Sequence, residues 1–320
     1  MDFAFSQSEQ MVVETAAAYA KRWLGDFRAR EAARCVSDEV HAAFITSGLS
    51  LLAEDSGDLA EIGWPARCAV LATLAGGDAG ATLALWMRAA APRYARLVGG
   101  SEAAADGIGC VHVADAAGAV THLACAPVGG ADRVLLLDAG GHWAVVQVDA
   151  EPTHALALDA AGPARCAVTK TLEAGTASTD AVMAELRLVA AAILLGVAQA
   201  AQRYAATYME TRETFGKTLN QHQGLAFIFA DMAMATDGAE LLLHKAAWTA
   251  GEARPIALAD AYLETVEAAL FTTSYGVQLL GGHGFMHDHP VEKWMREARA
   301  LSLLFGGVDA ARRDAAGGGR

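Results

Sequence analysis

The sequence has little positive charge and lacks the usual marks of secreted or membrane proteins. Lysine and arginine number 24 against 37 aspartate and glutamate, a formal net charge of −13 at pH 7. A phosphate backbone repels such a surface, which excludes non-specific nucleic-acid binding as a main function. Apolar runs are short: Arg187 interrupts the longest candidate for a membrane span, 186–198,. The opening residues lack a basic segment followed by an apolar core, so a cytoplasmic location is expected,.

Cysteine is also scarce, and its arrangement does not favour disulfides or metal sites. The chain has five cysteines, an odd number, and no two of them form a C-x-x-C pair. We therefore expect reduced, mostly buried thiols and no metal site. The five residues are Cys35, Cys68, Cys110, Cys125 and Cys166.

Composition and the spacing of apolar residues divide the chain into three regions and a tail. Residues 1–97 are rich in Ala and Leu at helical spacing, which predicts an N-terminal helical domain,. Residues 98–178 contain short β-prone runs and predict a small β-domain, and residues 179–314 predict a helical bundle. The glycine-rich residues 315–320 predict a disordered tail. The order indicates an α+β protein that is mostly α.

Local signals place individual elements within these regions. Ser6 and Glu9 have the spacing of a capping box before the first helix,. Long helices are expected at about 221–251, 255–280 and 290–304. Five strands, expected to form an antiparallel sheet, are predicted at Cys110–Ala114, Ala119–Cys125, Arg133–Leu137, Trp143–Val148 and Arg165–Thr169,.

Two motifs in the last third of the chain point to a ligand. The first, TRETFGKTLNQHQ, runs from Thr211 to Gln223, and the second, QLLGGHGFMHDHPVEKWMREA, runs from Gln278 to Ala298. Arg212 offers a fixed cation with a planar fork of donors, which suits a pyrophosphate. Either motif alone is more typical of a helix end followed by a turn.

Together and in this order, the motifs resemble the C-terminal domain of the acyl-CoA dehydrogenase family. The resemblance covers about residues 180–312. It implies an N-terminal helical domain, a middle β-domain and a C-terminal four-helix bundle, with FAD bound at a subunit interface. It also implies a nucleotide clamp for the pyrophosphate and adenine end of that FAD. The clamp residues carried over from the motifs are Arg212, Thr214, Phe215, Gln223, Gln278, Gly281 and Gly282.

The catalytic base that the resemblance requires is missing. Most members of the family place a glutamate after the second motif, and Phe305 occupies the matching position here. Others place it on an earlier helix, where Leu186 stands. Neither side chain can accept a proton, so no catalytic residue is expected. Glu185 is adjacent, but one helical step turns its side chain by about 100°, which favours a solvated surface position over a relocated base.

The missing features all belong to one half of the family's site. The β-region also lacks the loop and strand that hold the flavin ring, and Trp143 stands alone there. This asymmetry resembles the short subunit of bacterial heterotetrameric (α2β2) acyl-CoA dehydrogenases, many of which act on steroid-derived CoA thioesters. We therefore expect a non-catalytic subunit that shares FAD with a catalytic partner, with the acyl-CoA mainly on that partner. Two alternatives stay open: a homo-oligomeric enzyme with a relocated base, and a flavin-free scaffold or regulatory protein.

Other residues near the motifs have simpler interpretations. The histidines at 283, 287 and 289 favour a polar loop over a metal site. Glu292, Lys293 and Arg296 are spaced to form ion pairs within one helix, and Arg187 is a candidate to support the partner or bind substrate phosphate. Bundle-core positions are expected for Met232, Met234 and Trp248.

Overall fold

A computed structural model describes residues 4–59, 61–114, 120–126, 132–138, 140–249 and 254–316. The chain divides into two compact units, residues 1–186 and 187–320. The first unit is built from helices and a five-stranded sheet, and the second is almost entirely helical. The chain is therefore mostly α, as predicted. The predicted tail falls largely on residues 317–320, which lie outside the described residues.

Helices form most of the first unit and begin with the predicted capping box. The Ser6 hydroxyl accepts from the Glu9 amide at 3.3 Å, and a Glu9 carboxylate oxygen accepts from the Ser6 amide at 2.9 Å. These reciprocal bonds satisfy amides that the first helical turn leaves unpaired. The helices are α1 Gln7–Tyr19, α2 Phe27–Ala33, α3 Asp38–Thr46, α4 Ser50–Glu54, α5 Trp64–Gly77, α6 Ala79–Leu97 and α7 Glu102–Ala105.

The sheet of the first unit is mixed, which corrects the antiparallel prediction. The strands are β1 Ile108–Ala114, β2 His122–Leu123, β3 Arg133–Asp138, β4 His142–Pro152 and β5 Ala164–Thr176. Their order is β1-β3-β4-β5-β2, with β1 parallel to β3 and the other pairs antiparallel. The second strand-prone run pairs with β5 at the far edge, so β1 does not form a hairpin with it. Part of that predicted run, from Ala119, lies outside the described residues.

The second unit is a bundle of long helices interrupted by two short connections that carry the motifs. After α8 comes a two-stranded hairpin, and a 3₁₀ turn at Gly281–Phe285 separates α10 from α11. The elements are α8 Asp180–Thr211, β6 Glu213–Thr214, β7 Lys217–Thr218, α9 Gln223–Trp248, α10 Arg254–Leu280, α11 Val291–Leu301 and α12 Gly307–Ala315. The three long helices predicted from the sequence correspond to α9, α10 and α11.

An apolar cluster beneath the motifs fixes the connections to the helices. It buries Met209 of α8, Leu219 of the turn after the hairpin, Met232 of α9 and Leu279 of α10. Because Leu219 follows the first motif's hairpin and Leu279 lies within the second motif, one core anchors both.

The core prediction is correct for Met232 but wrong for Met234 and Trp248. Met232 is fully buried, whereas Met234 and Trp248 are exposed. The reason is helical geometry, since residues two apart on a helix point to nearly opposite sides. Met234 and Trp248 instead belong to an exposed apolar row along α9, described below.

Ion pairs within α11 have the structural role predicted for them. Arg296 Nε lies 2.8 Å from Glu292 Oε2, and the buried Lys293 ammonium lies 2.5 Å from Glu297 Oε1. Both pairs are four residues apart, where side chains meet on one helix face.

Among the described residues, one helix is long and apolar enough for a membrane span. The helix is α8, and 83% of its apolar window is buried inside the protein. A core helix of a globular unit has the same properties, and the burial favours that interpretation.

Candidate functional site

The two motifs meet at one end of the second unit. Tyr208 lies in the last turn of α8, and Arg212 follows the end of that helix. The Arg212 amide donates to the Tyr208 carbonyl at 2.9 Å. The Tyr208 hydroxyl in turn lies 2.8 Å from Nδ1 of His283, which belongs to the glycine-rich turn of the second motif. A hydrogen bond therefore joins the helix that presents Arg212 to the loop that presents Gly281 and Gly282.

The first motif forms a tight hairpin with an aromatic residue at its tip. Glu213 pairs with Thr218 and Thr214 with Lys217, leaving Phe215 and Gly216 as a two-residue turn. Both turn residues have positive φ, 50° and 78°, as a type I′ turn requires,. Phe215 is 98% exposed. A bulky residue is disfavoured in this conformation, so the folding of the hairpin does not explain the phenylalanine,.

Polar side chains of the first motif are open to solvent, and the hairpin that carries them is held in place by His222. The Arg212 side chain is exposed, and no described residue bonds its guanidinium. His222 braces the hairpin, because its Nε2 donates to the Thr214 carbonyl at 3.1 Å and lies 3.4 Å from the Thr214 hydroxyl. The arrangement leaves a cation and a hydroxyl available to an anionic ligand.

The glycines of the second motif differ in what the structure requires at each position. Gly281 has a φ of +59°, and a Cβ at Gly284 would lie 2.4 Å from the Val277 carbonyl oxygen, so both glycines are needed by the turn itself,. Gly282 has neither constraint, since its φ is ordinary and a Cβ there would meet open space. Its lack of a side chain leaves the exposed backbone accessible to a ligand.

The remaining clamp residues lie on the helices next to these turns. Gln223 is the first residue of α9, and Gln278 lies three residues before Gly281 on α10. Both side chains are exposed. All seven clamp residues are thus found in the second unit, and six of them are exposed while Thr214 is half-buried.

A cluster of tyrosines and histidines supports the second motif, and sequence analysis did not identify it. The rings of His283 and His289 stack with centroids 5.5 Å apart and planes 11° apart. Tyr204 hydrogen-bonds Nδ1 of His289 at 2.8 Å, just as Tyr208 bonds His283. Burial raises the pKa of Tyr204, with a smaller contribution from Tyr208, which keeps its hydroxyl protonated. The available signal was the spacing of the two tyrosines, four residues apart on one helix face.

Neither family base position has a group that can take up a proton. Phe305 is only 8% exposed and has a φ of 54°, between α11 and α12. Leu186 is completely buried in the first unit. Both residues contribute to the hydrophobic core.

Glu185 is buried and engaged in an ion pair, so the predicted solvated position is wrong. Its two carboxylate oxygens accept from Arg93 at 2.6 and 2.8 Å, in a fork geometry. Burial opposes the charge on Arg93, but the hydrogen bonds and charge of Glu185 outweigh it and raise the pKa of the guanidinium. With both oxygens engaged, Glu185 has a structural role in the first unit.

Two other candidates have structural partners. Arg187 is buried and forms an ion pair with Asp314 of α12, so it is committed within its own unit. Trp143 is buried on β4 against Gly175, where a Cβ would lie 2.9 Å from the indole ring.

Within the described part of the chain, no group of three or more His, Cys, Asp or Glu is arranged to hold a metal ion. Four cysteines are buried and Cys35 is partly buried, all as free thiols.

Part of the chain is similar in sequence to known proteins. Residues 173–317 match the family model described as acyl-CoA dehydrogenase, C-terminal domain. That region of the chain is similar to the C-terminal domain of the acyl-CoA dehydrogenase family. The short-chain-specific acyl-CoA dehydrogenase of Clostridium acetobutylicum is 39% identical over 122 residues, which is 38% of this chain and 32% of that protein. The match thus spans about a third of the relative's length.

Solved structures extend the likeness to the whole chain at the level of fold. Butyryl-CoA dehydrogenase from Megasphaera elsdenii superposes with a TM-score of 0.83 over 99% of both chains, at 19% identity. XiaF from Streptomyces sp., solved with FADH2 and glycerol, gives a TM-score of 0.79 over 97% of this chain and 95% of that one, at 15% identity. The chain therefore has the acyl-CoA dehydrogenase fold, with its helical C-terminal domain.

The clamp residues fit the nucleotide end of a flavin cofactor by their chemistry. Arg212 offers donors with no partner among the described residues, Thr214 a hydroxyl, and Gly282 an open backbone,. Phe215 presents an almost fully exposed aromatic face. This donor set suits a pyrophosphate with an aromatic ring nearby.

Proposed function

We propose that this chain is the non-catalytic subunit of an FAD-dependent acyl-CoA dehydrogenase complex. In this proposal it supplies the nucleotide half of a shared FAD site, and a catalytic partner chain supplies the base and the flavin-ring half. The expected assembly is α2β2, and the reaction is α,β-desaturation of a CoA thioester.

One contrast carries the proposal. The residues at both base positions, Phe305 and Leu186, are buried hydrocarbon side chains, whereas the donors of the nucleotide clamp are exposed. Proton abstraction needs a group that can accept a proton within reach of the substrate. A chain that keeps ligand-binding groups without a base is suited to complete a site whose chemistry lies on another polypeptide.

Each clamp residue has a distinct role in this proposal. FAD, when bound, supplies the hydride acceptor for the desaturation. Arg212 neutralises phosphate charge with directed N–H bonds, and Thr214 adds a hydroxyl donor. Gln223 and Gln278 offer amides at the starts and ends of helices, and Phe215 covers an aromatic ring. The chain's contribution is therefore binding and orientation of the cofactor.

A row of exposed apolar side chains on α9 supports the proposal that the chain has a partner. Phe227, Met234, Leu241 and Trp248 recur every seven residues and are each 53–65% exposed. A seven-residue repeat keeps side chains on one side of a helix, as in helix–helix seams. Large contiguous apolar rows are typical of protein interfaces. We call these four residues the α9 stripe and assign it to assembly of the complex.

The substrate class is the least constrained part of the proposal. Heteromeric pairs of the kind this sequence resembles include enzymes for steroid-derived thioesters, and we include that class. An activity screen of the assembled complex with short-chain and steroid-derived CoA thioesters would assign the acyl group.

The test is to purify this chain with a tag, alone and co-expressed with a base-retaining acyl-CoA dehydrogenase chain from the same organism. Alone, it should be colourless or insoluble. The co-purified complex should be yellow and should reduce an artificial electron acceptor with an acyl-CoA. The partner chain expressed by itself is the control and should hold less flavin than the complex.

Two outcomes would reject the proposal in different ways. A yellow, active homo-oligomer of this chain alone would favour an enzyme with a relocated base. A stable complex that holds no flavin would favour a scaffold.

A further inference from the structure

We propose that His283 is an additional nucleotide-binding residue, whose Nε2–H donates to a phosphate or ribose oxygen of the FAD that the clamp holds. Tyr208 is the positioning residue that fixes this donor. The inference rests on the proposed function, because it assigns one more contact to the same site.

The position of His283 places it between the two halves of the clamp. It follows Gly282, whose backbone is open to a ligand, and its Nδ1 bonds Tyr208, one helical turn from Arg212. His283 as a whole is half-buried, so the residue is neither enclosed by the protein nor fully in solvent. A ligand that contacts both Arg212 and Gly282 therefore comes close to this ring.

In this proposal the Tyr208 hydroxyl donates to Nδ1 of His283, and this direction sets which ring nitrogen carries the proton. A phenol is a good donor, and an unprotonated imidazole nitrogen is a good acceptor. When the Tyr208 hydroxyl donates to Nδ1, the neutral ring carries its hydrogen on Nε2. No residue in the described ranges bonds that Nε2 atom, which leaves it available to donate to an oxygen of a ligand.

The surrounding rings restrict the orientation of His283. His289 stacks against it at 5.5 Å, and the Tyr208 ring meets it edge-on at 6.0 Å. His289 is itself held by Tyr204 at 2.8 Å. A donor fixed from two sides loses little rotational freedom when a ligand binds, so it binds more tightly than a free side chain would.

The test measures FAD affinity of the deflavinated complex by flavin fluorescence. His283→Gln places an amide nitrogen near the Nε2 position, whereas His283→Asn places one near Nδ1. We expect His283→Ala and His283→Asn to weaken FAD binding about fivefold, the effect of one lost hydrogen bond. His283→Gln should stay within about twofold of wild type, since it keeps the donor. Tyr208→Phe should weaken binding by about threefold, because the tautomer is no longer fixed.

His287→Ala is the matched control, because it removes an exposed imidazole from the same loop. It should bind FAD like wild type. Equal loss in the Gln and Ala variants of His283, or wild-type affinity in the Ala variant, would overturn the inference. If His283→Ala does not fold, the Gln variant and Tyr208→Phe still decide the question. Wild-type affinity after Arg212→Ala would instead count against the proposed function.

Discussion

Two phenylalanines in the second unit share an unfavourable backbone conformation but have opposite surroundings. Phe215 and Phe305 have φ angles of 50° and 54°, yet Phe215 is 98% exposed and Phe305 is 8% exposed. The strain at Phe305 is offset by packing in the core. Among the described residues, the ring contact of Phe215 is an edge contact with His222, with ring centroids 6.5 Å apart. Under the proposed function, a ligand or partner outside the chain explains this conformation.

The comparison contrasts a phenylalanine packed in the interior with one to which the proposed function gives a binding role. At the family base position an aromatic side chain fills the interior. At the hairpin tip an aromatic side chain stays in solvent next to Arg212, whose guanidinium no described residue bonds. Variants at the two positions should accordingly affect different observables, stability in one case and cofactor or partner binding in the other.

The largest effect is expected from Phe305→Ala. Removing a buried phenylalanine should lower the free energy of unfolding by about 3 kcal/mol. The flavin content per folded complex should not change, since Phe305 has no catalytic role in this account. Thermal unfolding and flavin absorbance of the purified complex measure the two quantities. Leu303→Ala, an exposed residue in the same connection, is the control, and an equal loss of stability there would refute the packing explanation.

Arg212→Ala should have the opposite effect to Phe305→Ala: it should weaken flavin binding and leave stability unchanged. The side chain is exposed and has no partner among the described residues, so stability should not change. Flavin affinity should fall about ten- to a hundredfold, the effect of losing charge-assisted bonds to phosphate. Flavin release during dilution of the complex measures this affinity. Arg299→Ala removes an exposed arginine from α11 and should leave affinity unchanged.

Glu185→Gln extends the comparison to the residue next to the other base position. The substitution weakens a buried fork of hydrogen bonds to Arg93 and should cost about 2 kcal/mol of stability. Turnover of the assembled complex should be unchanged, because both carboxylate oxygens are committed to structure. Unfolding temperature and steady-state rate are the measurements. Abolished turnover with flavin still bound would identify Glu185 as a relocated base.

Met234→Lys tests whether the α9 stripe mediates assembly. A lysine in an apolar helix seam should weaken association of the chains by on the order of tenfold. Size-exclusion chromatography over a dilution series measures the association. Met11→Lys makes the same change at a similarly exposed methionine of α1, and it should assemble normally. Equal dissociation of both variants would contradict an interface on the stripe.

The smallest effect is expected from Phe215→Asn, and its sign is informative. Asn-Gly is the preferred pair for a type I′ turn, so stability should rise by about 1 kcal/mol. Flavin affinity or assembly should nevertheless weaken, since the exposed ring is lost. Chemical unfolding measures the gain in stability, and flavin titration measures the loss of affinity. A variant that gains stability with no loss of binding would remove the functional explanation for Phe215.

Much of the fold was predictable because its signals are local. The Ser6–Glu9 capping box, five strand positions and the long helices follow from caps and periodicity. The pairing of β1 with β3 could not be predicted, since it depends on long-range contacts. The exposure of Met234 was misjudged because apolar identity alone does not show which helix face is buried.

The candidate site was predictable in composition but not in arrangement. The motifs identified the donors, including Arg212 and Gly282. The bond between Tyr208 and His283 that joins the motifs spans 75 residues of sequence. The engagement of Glu185 by Arg93 spans 92 residues. No local pattern encodes such pairs, so they required the tertiary structure.

The ratio of flavin to polypeptide in the intact complex tests the central claim most directly. Native mass spectrometry of the co-purified assembly counts chains and bound FAD together. A chain that provides only the nucleotide half of a site predicts one flavin for every two polypeptides. One flavin for every polypeptide, including each copy of this chain, would contradict the account.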